Sequence, residues 1–251
     1  MIEIAWPNLS NEYAERPTAL TIGVFDGLHA GHRALIDRVV ETDYMPVVVT
    51  FQRHPTEVLL HDSIPGFVMS LRQKRRTLSR LGVAVVVQID FTDEFRLMPG
   101  REFLAALASS FRLRRLVVGH DFRCGYRLDT GIDAIRDFFA DAAVDVIEIN
   151  PVEEAAEPVS STRIRRLLEA GEVAEAGRLL GRPFALDVTD EEIERDGDRL
   201  YVVKSPGGVL PESRQLVPAP GAYDAEVVRK TQDPRPTRGG SADAATDARK
   251  T

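Results

Sequence analysis

The chain has 251 residues, 43% of them hydrophobic, and a formal net charge of −7. That length holds one large domain, or one domain with a small appendage, and the composition is that of a globular chain rather than a disordered one. The acidic balance argues against a general nucleic-acid binder, and a single cysteine, Cys124, excludes an internal disulfide or a cysteine-rich zinc site. The first residues, MIEIAWPNLSNEYAERP, lack the basic and apolar regions of a signal peptide, and no apolar run approaches the roughly 18 residues of a membrane span. A soluble, cytoplasmic protein is expected.

In chain order, five short apolar runs rich in β-formers read as strands: 19–25, 45–51, 83–89, 115–120 and 144–149. Runs apolar on both faces suit a buried parallel sheet. Between them lie helical stripes: Leu35, Ile36, Val39 and Val40; Phe103, Leu104 and Leu107; Ile135, Phe138 and Phe139. Two more helices are predicted at 161–170 and 172–180, the second stopping at Gly181 before Pro183. The alternation predicts an α/β fold with a doubly wound parallel sheet over residues 1–186. Residues 187–230 read as a small β appendage, with a turn at Asp196-Gly197, a strand in RLYVV and two more in RQLVPAP and GAYDAEVV. Residues 231–251 have no large apolar side chain and are expected to be a disordered tail.

The stretch TIGVFDGLHAGHRALI (21–36) concentrates the chemistry. In an open α/β sheet, ligands bind beyond the carboxyl ends of the strands, near helix N-termini. Gly27 and Gly31 let the backbone approach a ligand, and the helix starting near Ala30 offers free N–H groups and a positive dipole end to an anion. His29 and His32 then sit at the same helix mouth as donors to phosphate oxygens. The run is neither a P-loop nor a Gly-x-Gly-x-x-Gly fingerprint. Asp26 is either a helix cap or a group that orients a histidine or holds Mg²⁺ indirectly.

GVFDGLHAGH resembles the signature of the nucleotidyltransferases that use a His-x-Gly-His motif, and more closely the FMN adenylyltransferase module of bacterial FAD synthetases. VVVTFQRHPTEVL (47–59), VVGHDFRCGYRLDTG (117–131) and VSSTRIRRLL (159–168) are similar to three further segments of that family, in the same order. The resemblance implies a Rossmann-like domain that transfers AMP from ATP to FMN, releasing FAD and pyrophosphate with Mg²⁺ as cofactor. It implies catalytic roles for His29, His32 and Arg165, with Gly23, Phe25, Asp26, Gly27, Gly31, Ser161 and Thr162 around the nucleotide. Phe51, His54, Asp121 and Arg123 are implied around the flavin, and no side chain as a metal ligand. No nucleic-acid or membrane partner follows, and the sequence leaves the oligomeric state open.

The residues also have plainer readings. Ser-Ser-Thr is a helix N-cap, Asp121 suits an Asx-turn, and Pro55 is expected to stop any immediate helix. Arg163 and Arg166 are expected to face solvent. In RQKRRTLSR (72–80), Arg72, Lys74, Arg75 and Arg76 read as the solvated face of a helix with Leu71 and Leu78 inward, and Trp6 reads as a packing residue. Val24, Gln52, Arg53 and Cys124 depart from the family pattern on its flavin side. The Pro-Thr-Ala-Asn motif of the family's riboflavin kinase barrel does not occur in the chain, although LVPAPGAYDAEV (216–227) faintly resembles one of that barrel's strand pairs. No kinase activity is therefore expected. Two other readings stand beside AMP transfer to FMN: a different phosphorylated acceptor, or a flavin- or nucleotide-binding protein without turnover.

Overall fold

A computed structural model describes residues 1–56, 66–191, 193–196, 199–202, 209–210 and 213–226. Its centre is a six-stranded parallel sheet, β1 (Ile2–Ala5), β2 (Tyr13–Ile22), β3 (Met45–Phe51), β4 (Val85–Ile89), β5 (Phe111–Gly119) and β6 (Asp145–Ile149), in the order β1-β4-β3-β2-β5-β6. The helices are α1 (Ala30–Val40), α2 (Leu71–Arg80), α3 (Gly100–Ser110), α4 (Ile132–Phe138), α5 (Ser161–Glu169) and α6 (Val173–Leu180). None of the described helices is long and apolar enough to cross a membrane.

The continuous apolar runs split by pleat parity into two cores. Leu20, Ile22, Val47, Val49, Val85, Val87, Leu116 and Val118 face α3 and α4 and pack with Phe103, Leu104, Leu107 and Ile135. Ala19, Val48, Val86 and Val117 face the other way and meet Leu35, Ile36 and Val39 of α1 and Leu78 of α2. Each fully buried aliphatic side chain contributes roughly 1.5–3 kcal/mol. Trp6 packs as expected, with its ring 5.6 Å from Phe95 and 5.2 Å from Phe103.

The strand order reverses at β2, which has β3 on one side and β5 on the other. The loop leaving β2 therefore opens at the switch point where doubly wound sheets bind ligands.

Several expectations need correction. β1 went unread because it is a four-residue edge strand, mostly exposed, paired only with β4. In α2 the inward residue is Lys74, buried beside Leu78, whereas Leu71 is 37% exposed. Pro55 and Thr56 are helical, so Pro55 opens a turn rather than stopping one; proline suits a first helical position. Arg163 is half-buried, donating to the Glu154 and Glu157 carbonyls, while Arg166 is exposed as expected.

The hairpin β7 (Glu153–Glu154) and β8 (Glu157–Pro158) precedes α5, and among the described residues after α6, β9 (Ile193–Asp196) pairs with β10 (Arg199–Val202), the strand expected in RLYVV. The turn residue Gly197 lies outside the described residues, as do the last two residues of GAYDAEVV and the expected tail. RQLVPAP forms single bridges only, Gln215 with Phe67 and Leu216 with Val209, and Ala222–Glu226 form no strand. Residues Met1–Gly221 make one compact unit, and those from Ala222 onward fall outside it. Gln215, fully buried, donates to the Val68 and Ala185 carbonyls and accepts from Asp187 N–H, which fixes the start of the appendage to the α/β body.

Candidate active site

The loop from Gly23 to His29 turns β2 into α1 through three left-handed residues, Phe25 (φ 51°), Gly27 (φ 85°) and Leu28 (φ 44°). Gly27 needs its freedom twice, since a Cβ there would also lie 3.0 Å from Val68. For phenylalanine and leucine such backbone costs about 1–3 kcal/mol each and persists only where surroundings enforce it.

The enforcement comes from four side chains elsewhere in the chain, on β3, α2, α5 and the segment after α6, holding the loop carbonyls. Val24 O accepts from Thr50 Oγ1 (3.1 Å) and Lys74 Nζ (2.8 Å). Asp26 O accepts from Ser161 Oγ (2.8 Å), and Gly27 O and Leu28 O accept from the two terminal nitrogens of Arg182 (2.7 and 3.3 Å). By contrast, the backbone N–H groups of Val24 to Gly31 donate to no atom of the described residues. Phe25, Asp26 and Leu28 are buried, so these are orphaned donors in a place where proteins rarely leave them. The arrangement is an anion cradle closed by the first turn of α1.

His29 is the N-cap of α1, with Nδ1 accepting the His32 N–H (3.4 Å). Burial, then Arg182 and Arg165, bring its pKa down to about 4, so the ring is neutral and its proton sits on Nε2. His32 stacks on it with centroids 3.7 Å apart, and burial, followed by His29 and Lys74, also lowers its pKa. Gly31 gives this stack room, since a Cβ there would lie 3.3 Å from the His29 ring. Phe25 meets His32 edge-on at 5.3 Å. Its side chain is fully buried and props the histidine.

Asp26 is not the helix cap. Its carboxylate, 1% exposed, accepts from Val68 N–H (3.0 Å) and Met69 N–H (3.4 Å) and pairs with Arg165 Nη2 at 2.6 Å. Ser160, rather than Ser161, caps α5, which frees the Ser161 hydroxyl for the loop; Thr162 is exposed. Among the described residues, His32 Nδ1 and Arg165 Nε are buried without a partner, two polar atoms awaiting one at the same place.

Lys74 and Arg182 complete the charge count. Burial brings Lys74 down to about 8 and also lowers Arg182. Among the described residues Arg182 has no carboxylate partner, and the Asp26 that faces Lys74 is already paired with Arg165. Three buried or half-buried cations thus face one carboxylate, an excess that suits a polyanion. Neither residue was singled out from the sequence. Lys74 sat in a run that reads as solvated, although its S-x-x-Q capping box at Ser70 and Gln73 sets the helix phase. Arg182 carried no motif, although the C-cap at Gly181 just before it was legible.

Across the ends of β2 to β5 lies a cavity of about 620 Å³ that begins where the cradle begins, at Gly23 and Val24. Phe51, Phe91, Phe95, Phe122 and Tyr126 supply aromatic wall, with Asp121, Arg123, Arg127 and Arg96 as polar groups. Phe51, Asp121 and Arg123 line it, whereas His54 does not; its Nδ1 sits 2.6 Å from Thr56 Oγ1, beside the lining Pro55. Arg123 donates to Leu128 O (3.1 Å), bracing the 122–128 loop. The departures have local explanations: Gln52 bonds Gln88 and Arg53 pairs with Asp90, joining the ends of β3 and β4. Cys124 is one lining group among several aromatic ones, its thiol pushed up to about 12 by burial and then by Asp129, hence neutral.

The FAD synthetase family model matches residues 11–163, which include the cradle, the cavity and the start of α5. The chain belongs to the FAD synthetase family. A bifunctional riboflavin kinase/FMN adenylyltransferase of Escherichia coli is 32% identical, over 86% of this chain and 70% of its own length. An FAD synthetase of Listeria monocytogenes is 28% identical, over 82% and 85%. A crystal structure described as a macrolide-efflux protein from Streptococcus pneumoniae superposes with a TM-score of 0.70 at 25% identity, covering 88% of this chain and 73% of that one. Arg182 lies beyond the span of the family match.

Proposed function

We propose that this FAD synthetase transfers AMP from ATP to FMN, giving FAD and pyrophosphate. What carries the reading is that the donor-only cradle and the aromatic cavity share Gly23 and Val24, so a triphosphate and a flat apolar ring system would meet there. A cavity of this size, apolar with a few polar groups, suits an isoalloxazine ring.

In the proposed reaction an oxygen of the FMN phosphate attacks the α-phosphorus of ATP in line. The bond from that phosphorus to the bridging oxygen breaks, and pyrophosphate leaves with the electron pair. The nucleophile is already anionic and needs no general base, so positioning and charge stabilisation provide the catalysis. We assign His29 Nε2–H, the cradle N–H groups and Arg165 Nε to the triphosphate, with Ser161 holding the loop and Thr162 at the exposed start of α5. The neutral histidine rings serve as hydrogen-bond donors and dipoles toward the charge that builds on the pyrophosphate, with no proton transferred.

The described residues hold no group of three side chains able to cage a metal, and the Asp26 carboxylate is committed to Arg165 and two amides. They fit Mg²⁺ only as a cation held chiefly by the substrate's own phosphates, where it would neutralise charge; few protein ligands is its usual habit. We propose further that residues 1–186 perform the chemistry while the appendage braces it, and that the setting is cytoplasmic, where ATP is abundant.

The test is pyrophosphate release with ATP, Mg²⁺ and a panel of phosphorylated acceptors, plus riboflavin. FMN should be the preferred acceptor and riboflavin should give nothing. Faster release with another phosphorylated acceptor would replace the reading by one with a different substrate.

A further inference from the structure

We infer that Arg182 is a positioning residue for the triphosphate: by holding the Gly27 and Leu28 carbonyls it turns the next two N–H groups toward the nucleotide. The inference rests on the triphosphate reading of the cradle. In a trans peptide the C=O and the following N–H point in opposite directions. With Gly27 O at 2.7 Å and Leu28 O at 3.3 Å from the guanidinium, the N–H groups of Leu28 and His29 point away from Arg182. No described acceptor receives them. Leu28, at φ 44°, is in a conformation that leucine leaves readily, and a flip of either peptide would aim a carbonyl oxygen at the phosphates.

The clamp is itself fixed. Arg182 also donates to Leu180 O (3.2 Å), at the end of α6, where Gly181 turns the chain in the left-handed conformation. Among the described residues Arg182 makes no ion pair with a carboxylate, so its charge stands behind the cradle and adds to the pull on an anion. A lysine could replace the charge but could not bridge two carbonyls with a planar fork.

The experiment compares the full chain with Arg182→Gln and Arg182→Lys. It measures the Kd of MgATP by calorimetry without FMN, KM for FMN at saturating ATP, and the melting temperature. Loss of two charge-assisted bonds should weaken MgATP binding in Arg182→Gln by about 10- to 100-fold, with Arg182→Lys in between. KM for FMN should stay within about twofold, because Arg182 is not among the residues that line the aromatic cavity. MgATP binding within about twofold of wild type in Arg182→Gln, or equal losses for both substrates, would overturn the proposal. Should Arg182→Gln fail to fold, Arg182→Lys decides: weaker MgATP with unchanged FMN supports it, and unchanged MgATP overturns it. A wild-type chain that binds MgATP but makes no FAD would refute the acceptor reading, while the clamp is still decided by the Kd.

Discussion

Replacing Asp26 by asparagine removes the carboxylate that, among the described residues, faces Lys74 and Arg165, and leaves a guanidinium whose side chain is 10% exposed without its counter-charge. The carboxylate also accepts two backbone N–H groups, from Val68 and Met69, so the change disturbs three bonds. Removing one partner of a buried pair costs about 3–5 kcal/mol, because the other charge stays buried. For a chain of this size each kcal/mol lowers Tm by roughly 2–4 °C, so Asp26→Asn should melt about 6–20 °C below wild type. Chemical denaturation read by circular dichroism gives the same quantity as a free energy. The double variant Asp26→Asn/Arg165→Met should recover part of the loss, since the stranded charge is gone. A penalty below about 1 kcal/mol in the single variant, or strictly additive losses in the double one, would refute the idea that this pair organises the loop.

Three other outcomes follow from the same geometry. His29 has a folded pKa of about 4 against 6.5 unfolded, so the unfolded chain binds more protons between those values and stability falls as pH drops through that window. The shift corresponds to about 3 kcal/mol, and His29→Asn, which keeps a capping side chain, should flatten the pH dependence of urea unfolding there; an unchanged slope would contradict the assignment. Lys74→Met removes a desolvated charge while Val24 O keeps Thr50, so Tm should hold or rise even as MgATP binding weakens about tenfold; a drop of several degrees would count against this. Phe95→Ala, in the cavity wall, should raise KM for FMN about tenfold and leave KM for ATP unchanged, and the reverse pattern in steady-state kinetics would misplace the flavin.

What could be read from the amino-acid order, and what could not, follows from the range of the forces. The four inner strands, β2 to β5, stand out because both faces are buried, so their runs are largely apolar, whereas edge strand β1 shows no such run. His29 and His32 were legible because a helix mouth and its glycines are local, as were Ser161 and Arg165 on one turn. The partners were not. Asp26 and Arg165 are 139 positions apart, Lys74 lies 50 from Val24, and Arg182 reaches back 155 to Gly27. Lys74 looked solvated because charge is a good guide to exposure except where a buried carbonyl and a carboxylate await it. The flavin side shows the same: Cys124 departs from the family pattern there, yet Phe91 and Phe95 beyond β4 and Phe122 beyond β5 supply aromatic wall to the same cavity.

The most direct measurement is chromatographic: FMN, ATP and Mg²⁺ are incubated with the purified chain, and FAD and pyrophosphate are quantified together, with riboflavin in place of FMN in a parallel reaction. Equal amounts of FAD and pyrophosphate from FMN, none of either from riboflavin, and loss of both in His29→Asn/His32→Asn are expected. Pyrophosphate without FAD, or neither product from a folded protein that binds ATP, would contradict the account.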